Sequence, residues 1–111
     1  MASKEISFEF EGARYTLAFT RKTVQALSAR GFRPSMITDD PSNGIPMLFR
    51  GAFLANHKWV KDDVKDKIYE HIQNRADLIT KLLEMYTVPI NEMFEDPDEN
   101  DEKKVAWDSN F

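Results

Sequence analysis

The sequence predicts an α+β domain, mostly helical, in which an N-terminal β-hairpin packs on a bundle of about four helices and a disordered acidic tail follows. Three observations lead there. Residues 6–19 alternate apolar and polar side chains with period two. From Thr20 onward apolar residues recur at helical spacing between capping and breaking signals. After Phe94, six of the eight residues 95–102 are acidic. The globular part is expected over residues 1–94 and the flexible tail over 95–111.

In the hairpin, Ile6, Phe8 and Phe10 alternate with Ser7, Glu9 and Glu11, and Tyr15, Leu17 and Phe19 alternate with Thr16 and Ala18. Gly12 lies between the runs and supplies the positive φ of a tight turn. One face collects Phe8, Phe10, Tyr15 and Leu17. A lone hairpin is barely stable in water, so that face must pack on helices.

Thr20 has the chemistry of an N-cap, its hydroxyl accepting from the N–H of residue 22 or 23. Val24 and Leu27 follow, and Gly31 suits a left-handed C-terminal position, which predicts a helix over about 21–30. Residues 33–44 contain Pro34, Ser35, Asp39, Asp40, Pro41, Ser42, Asn43 and Gly44, which is loop chemistry. Met36 and Ile37 inside it either plug the core or form an exposed contact point. Ile45, Leu48, Phe49, Ala52 and Phe53 share one stripe of a second helix, with Met47 and Leu54 widening it and Pro46 in its first turn. Val60, Val64, Ile68 and Ile72 mark an amphipathic third helix, with Lys61, Asp62, Asp63, Lys65, Asp66, Lys67 and Glu70 on its other faces. Asp63 and Lys67 are expected to pair there. A fourth begins near Ala76 with Leu78, Ile79, Leu82, Leu83 and Tyr86 as its stripe. Pro89 should stop or kink it near Val88, with Ile90, Met93 and Phe94 continuing as a final turn.

The composition is that of a globular chain: 41% hydrophobic, 31% charged, net charge −4. Its charge is uneven. Residues 1–59 carry eight Lys/Arg against five Asp/Glu, and residues 60–111 seven against fourteen. The basic set Arg21, Lys22, Arg30 and Arg33 is too dispersed for a nucleic-acid face. No run is long enough to span a membrane, and the start has no apolar signal-peptide core. There is no cysteine, which excludes disulfides and thiolate metal sites.

Catalytic groups lack companions. His57 and His71 are fourteen positions apart with no further ligand at helical spacing. The serines lack a nucleophile elbow, and no glycine-rich phosphate loop is present. Asp39-Asp40 and Asp62-Asp63 fall in solvent-facing segments, where paired carboxylates do no acid–base work. The sequence therefore predicts no enzyme, no cofactor, no metal and no small-molecule substrate. A binding protein remains. A solvating acidic tail that ends in Val105, Ala106, Trp107 and Phe111 reads as a docking segment that orders on a partner. Met36, Ile37, Trp107 and Phe111 are the candidate partner-binding residues. Met47, Met85 and Met93 are further candidates for helix-in-groove contacts.

The order of these features resembles a known family. The hairpin Phe8-Glu9-Phe10-Glu11-Gly12-Ala13-Arg14-Tyr15-Thr16-Leu17-Ala18-Phe19-Thr20 opens a helix ending in Gly31. Then come Leu48-Phe49-Arg50-Gly51-Ala52-Phe53-Leu54-Ala55-Asn56-His57, Ile68-Tyr69, Leu82-Leu83-Glu84-Met85-Tyr86 and, after the acidic run, Val105-Ala106-Trp107. This resembles the small tail assembly chaperones of long-tailed phages and prophages of Gram-positive hosts, over nearly the whole chain and by pattern and order alone. The resemblance implies binding to the tape measure protein and recruitment of tail tube subunits in the host cytoplasm, with the chaperone absent from the finished virion. It leaves self-association open. The alternative is another small phage-encoded adaptor or inhibitor that binds protein.

Overall fold

The computed structural model describes residues 4–111 and is α+β, mostly helical. Strands β1 (Ile6–Phe10) and β2 (Ala13–Leu17) form an antiparallel hairpin with Ile6 opposite Leu17, Phe8 opposite Tyr15 and Phe10 opposite Ala13. The turn between them holds both Glu11 (φ 50°) and Gly12 (φ 81°) at positive φ. That is the mirror-image turn whose twist matches the strands, so the left-handed position expected of Gly12 extends to Glu11. Phe19, two residues past β2, is core without belonging to the strand.

Helix α1 (Arg21–Ala29) starts at the Thr20 cap. The Thr20 hydroxyl accepts from the Thr23 N–H at 3.2 Å, and the Thr23 hydroxyl accepts from the Thr20 N–H at 2.9 Å. It ends in a Schellman motif. Gly31 at φ 100° donates to the Ser28 carbonyl, and the Phe32 N–H donates to the Leu27 carbonyl at 3.1 Å. The motif folds Phe32 back into the core beside Tyr86, with ring centres 5.0 Å apart.

The segment expected to be a loop is instead the short helix α2 (Met36–Asp39), followed by α3 (Pro41–Gly51). Pro41 takes the first position of α3, where its missing N–H costs nothing. Pro46 therefore lies inside the helix and not in its first turn. Gly44 lets α2 and α3 touch: a Cβ there would stand 2.8 Å from the Met36 Cβ.

Helix α4 (Asp62–His71) rotates relative to expectation. Its buried residues are Lys65 and Ile68, with Tyr69 and Ile72 half-buried, while Val64 sits at the exposed margin. Lys67 pairs with Glu11 of the hairpin turn at 2.6 Å and not with Asp63, whose carboxylate accepts from the Val64 N–H. Helix α5 (Arg75–Glu92) runs through Pro89. The proline removes one helical hydrogen bond, yet Val88, Pro89 and Ile90 stay half-buried, so packing carries the helix one turn further.

The core gathers Leu17, Phe32, Leu48, Phe53, Ile68 and Leu82 among its least exposed side chains. Phe53 links both layers. Its ring meets Phe8, Tyr15 and Phe49 at centroid distances of 6.5, 5.8 and 5.2 Å. Past α5 the chain has no helix or strand and every residue from 91 to 111 is exposed. The radius of gyration, 16.7 Å, exceeds the ~13 Å of a compact chain of this length because this segment extends away.

Candidate functional site

The four residues that the sequence singled out separate in space. Met36 and Ile37 are half-buried in α2 and packed against the core. The Arg33 N–H donates to the Met36 Sδ at 3.3 Å. Trp107 and Phe111 are exposed, 79% in the case of Trp107. Of the further methionines, Met85 is core, Met47 is half-buried, and Met93 is exposed.

Seven large apolar side chains are exposed among the described residues, and five of them fall within residues 93–111: Met93, Phe94, Val105, Trp107 and Phe111. The other two are Val64 and Trp59. Trp59, in the turns between α3 and α4, belongs to no apolar stripe of the sequence; it is 82% exposed with the Lys58 ammonium 4.7 Å from its ring centre.

Local hydrogen bonds shape the acidic stretch. Asp98 accepts from the Asn100 N–H at 3.0 Å and Asp101 from the Lys103 N–H at 2.9 Å, two Asx turns in succession. Lys104 donates to the Glu99 carbonyl, and Val105-Ala106-Trp107 close a hollow over Asp96 and Pro97. Six carboxylates thus precede an apolar end that touches nothing in the core.

Polar side chains elsewhere do structural work. The His57 Nε2 accepts from the Thr16 N–H at 2.9 Å, and Asn56 donates to the Thr16 carbonyl at 3.1 Å, so these two side chains hold β2 against the turns after α3. Arg33 donates to the Ser28 and Phe32 carbonyls at the end of α1. Arg50 and Asp66 form a two-pronged pair at 2.9 and 2.7 Å. The hydrogen bond from Arg50 holds the Asp66 carboxyl below its ordinary pKa. Both groups are well over a third exposed, so solvent screening leaves the pair under about 1 kcal/mol. That contribution exists above the ordinary carboxylate value and disappears as pH falls through the lowered one.

Lys65 is the exception to the charged-outside pattern. It is 3% exposed, where the sequence placed it on a solvated face. Its Nζ donates to the Arg50 carbonyl at 3.2 Å near the α3 C-terminus, and lies 3.6 Å from Asp62 and 5.4 Å from the Phe53 ring centre. Burial pushes its pKa below the usual lysine value, and Asp62 offsets this only in part. Between that lowered pKa and about 10.5 the unfolded chain binds the extra proton, so stability rises with pH across the window. Lys65→Met should abolish this rise. Urea unfolding at pH 7 and pH 10 should show the wild type gaining on the variant at the higher pH. Tyr86, whose pKa burial raises, acts equally in both proteins and cancels. A constant gap between the two would show that Lys65 keeps its ordinary proton affinity.

No three His, Asp or Glu side chains gather as a metal site among the described residues. No described helix is long and apolar enough to cross a membrane.

Against known families, residues 1–111 match DUF5055, a domain of unknown function. The chain belongs to the DUF5055 family. No curated protein and no solved structure matches it. What this DUF5055 domain offers for function is therefore its own geometry: a closed core, a hairpin latched by His57 and Asn56, and an apolar-ended acidic segment outside it.

Proposed function

We propose that this DUF5055 chain is a phage tail assembly chaperone. It binds the tape measure protein, keeps it soluble, brings tail tube subunits to it in the bacterial cytoplasm, and leaves before the virion is complete. The observation that supports this is the concentration of exposed large apolar side chains in residues 93–111, three of them beyond a run of six carboxylates. Apolar anchors on such a segment reach a long helical client, and the charge keeps loaded complexes apart. The order of sequence features shared with that chaperone family supplies the client.

The test is co-expression with a candidate tape measure protein. With the full chain the tape measure protein should stay soluble and co-purify; with residues 95–111 deleted it should be lost to the pellet. The deletion should leave the melting temperature of the domain within about 2 °C, because the segment buries nothing. A tape measure protein that is insoluble with either form removes the chaperone role. A large fall in melting temperature would mean that the segment packs on the domain.

A further inference from the structure

The two edges of the hairpin are treated differently. A two-residue turn makes Phe10 and Ala13 a hydrogen-bonded pair, and with them Phe8/Tyr15 and Ile6/Leu17. The backbone groups of Ser7, Glu9, Arg14 and Thr16 therefore point away from the ladder. On β2 this outer edge is occupied from Thr16 onward, while Arg14 beside the turn has no such bond among the described residues. Thr16 is held at both N–H and carbonyl by His57 and Asn56, and the Ala18 N–H just beyond the strand donates to the Ala52 carbonyl at 3.1 Å. On β1 it is open: among the described residues nothing bonds to the backbone N–H or carbonyl of Ser7 or Glu9.

A groove runs along that open edge, between β1 and α5. It consists of two hollows of about 270 and 340 Å³ that share Ile6 and Lys81. Its apolar lining is Ile6, Phe8, Ile72, Leu78 and Met85. Ion pairs mark its rim, Lys81 with Asp77 at 3.2 Å and Lys4 with Glu84. Ile6 and Phe8 are half-exposed along the groove. On the opposite face of β1 the side chains are Ser7 and Glu9, both exposed, and Glu5, also exposed, stands just before the strand at the end of the groove.

We propose that the open edge of β1 and the β1–α5 groove form a docking site for an extended segment of a partner protein, apolar at alternate positions and basic between them. The backbone of Ser7 and Glu9 would pair with it as a third strand. Its apolar side chains would enter the groove beside Ile6 and Phe8. Its basic side chains would stand across from Glu5 and Glu9, where opposite charges favour each other in cross-strand positions. The site lies apart from residues 95–111 and stands whether or not the client is a tape measure protein.

A nine-residue peptide alternating lysine and valine is the probe, titrated into the full chain. Hydrogen exchange at the Ser7 and Glu9 amides should slow, while the exchange of Thr16 stays as it was. The same residues rearranged into a valine block and a lysine block should bind at least about tenfold more weakly, as should a copy N-methylated at the amides that face β1. Ser7→Pro removes an N–H that the hairpin does not use, and should weaken the peptide by about tenfold with the circular dichroism spectrum unchanged. The double variant Glu5→Lys/Glu9→Lys should weaken it further still. Equal binding of the block or N-methylated peptide, or protection elsewhere than β1, overturns the site. Concentration-dependent protection of Ser7 without any peptide would assign the edge to a second copy and overturn the partner.

Discussion

Phe53→Ala should destabilise the domain by about 3–5 kcal/mol, the largest effect expected of any single truncation here. Phe53 is fully buried and sits where the hairpin, α3 and α4 meet. Its ring faces Phe8 and Tyr15 on the strands, Phe49 on α3 and the ammonium of Lys65 on α4. Truncation leaves a cavity bounded by three elements and removes the surface on which the hairpin rests. A two-stranded hairpin has no stability of its own to offset that loss. Domains of this size have only about 5–15 kcal/mol in total, so the variant should be close to unfolding at 37 °C. Urea denaturation gives the number, and the near-ultraviolet signal of the tyrosines should fall before the helical signal does. Phe53→Leu, which refills most of the volume, should cost less than half as much. A cost below about 1 kcal/mol for Phe53→Ala would mean that the hairpin is held by other contacts.

The reasons why parts of this fold were legible in the sequence are visible in the same residues. The hairpin was legible because period two has no helical imitation over two consecutive runs, and α1 because Thr20 and Gly31 bracket it. Phe32 was not seen, although an apolar residue directly after a helix-ending glycine is the sixth member of the motif that Gly31 announces. The start of α3 was hidden because Asp40-Pro41-Ser42-Asn43 uses the same residue types for a helix start as for a loop. The α4 stripe was misread for a geometric reason. Residues spaced strictly by four drift about 40° around a helix at each step, so Val60, Val64, Ile68 and Ile72 cannot share one face. The true face, Lys65, Ile68, Tyr69 and Ile72, follows the 3-4-7 spacing but opens with a lysine, which composition assigns to solvent.

Function was less legible than fold, because it depends on which polar groups are left over. Trp107 and Phe111 could be placed outside the core from the acid content before them. Met36 and Ile37 could not be placed, since an apolar pair between turn residues packs inward or outward according to tertiary contacts that begin at Gly44. The open edge of β1 needed the register. Only when Ser7 is known to lie opposite Thr16, and Thr16 to be held by His57 and Asn56, does Ser7 become the unpaired partner.

The second large effect concerns Gly51, where two helices cross. Alanine in place of a glycine inside a helix ordinarily gains up to about 1 kcal/mol from backbone entropy, and somewhat less at the last position of α3, where Gly51 stands. At Gly51 the sign should reverse. A Cβ there would stand 2.7 Å from the Leu27 Cδ2, 3.0 Å from its Cγ, and closer still to its Cδ1. Leu27 is itself 2% exposed and part of the core, so displacing its side chain costs packing contacts even though a hollow of about 190 Å³ lies beside it. Gly51→Ala should therefore cost about 1–2 kcal/mol net, and Gly51→Val about 3 or more, by forcing α1 and α3 apart. A double-mutant cycle separates this clash from any loss of flexibility. Leu27→Ala alone should cost about 2–4 kcal/mol. In the Leu27→Ala background the added methyl of Gly51→Ala has space, so its ordinary helical gain should return and the pair should be more stable than the sum by about 2 kcal/mol. If the two costs simply add, contact with Leu27 is not what keeps a side chain out of position 51. The same cycle at Gly12 or Gly31 should show no such rescue, because nothing lies within 4 Å of a Cβ at either and the obstacle there is positive φ alone.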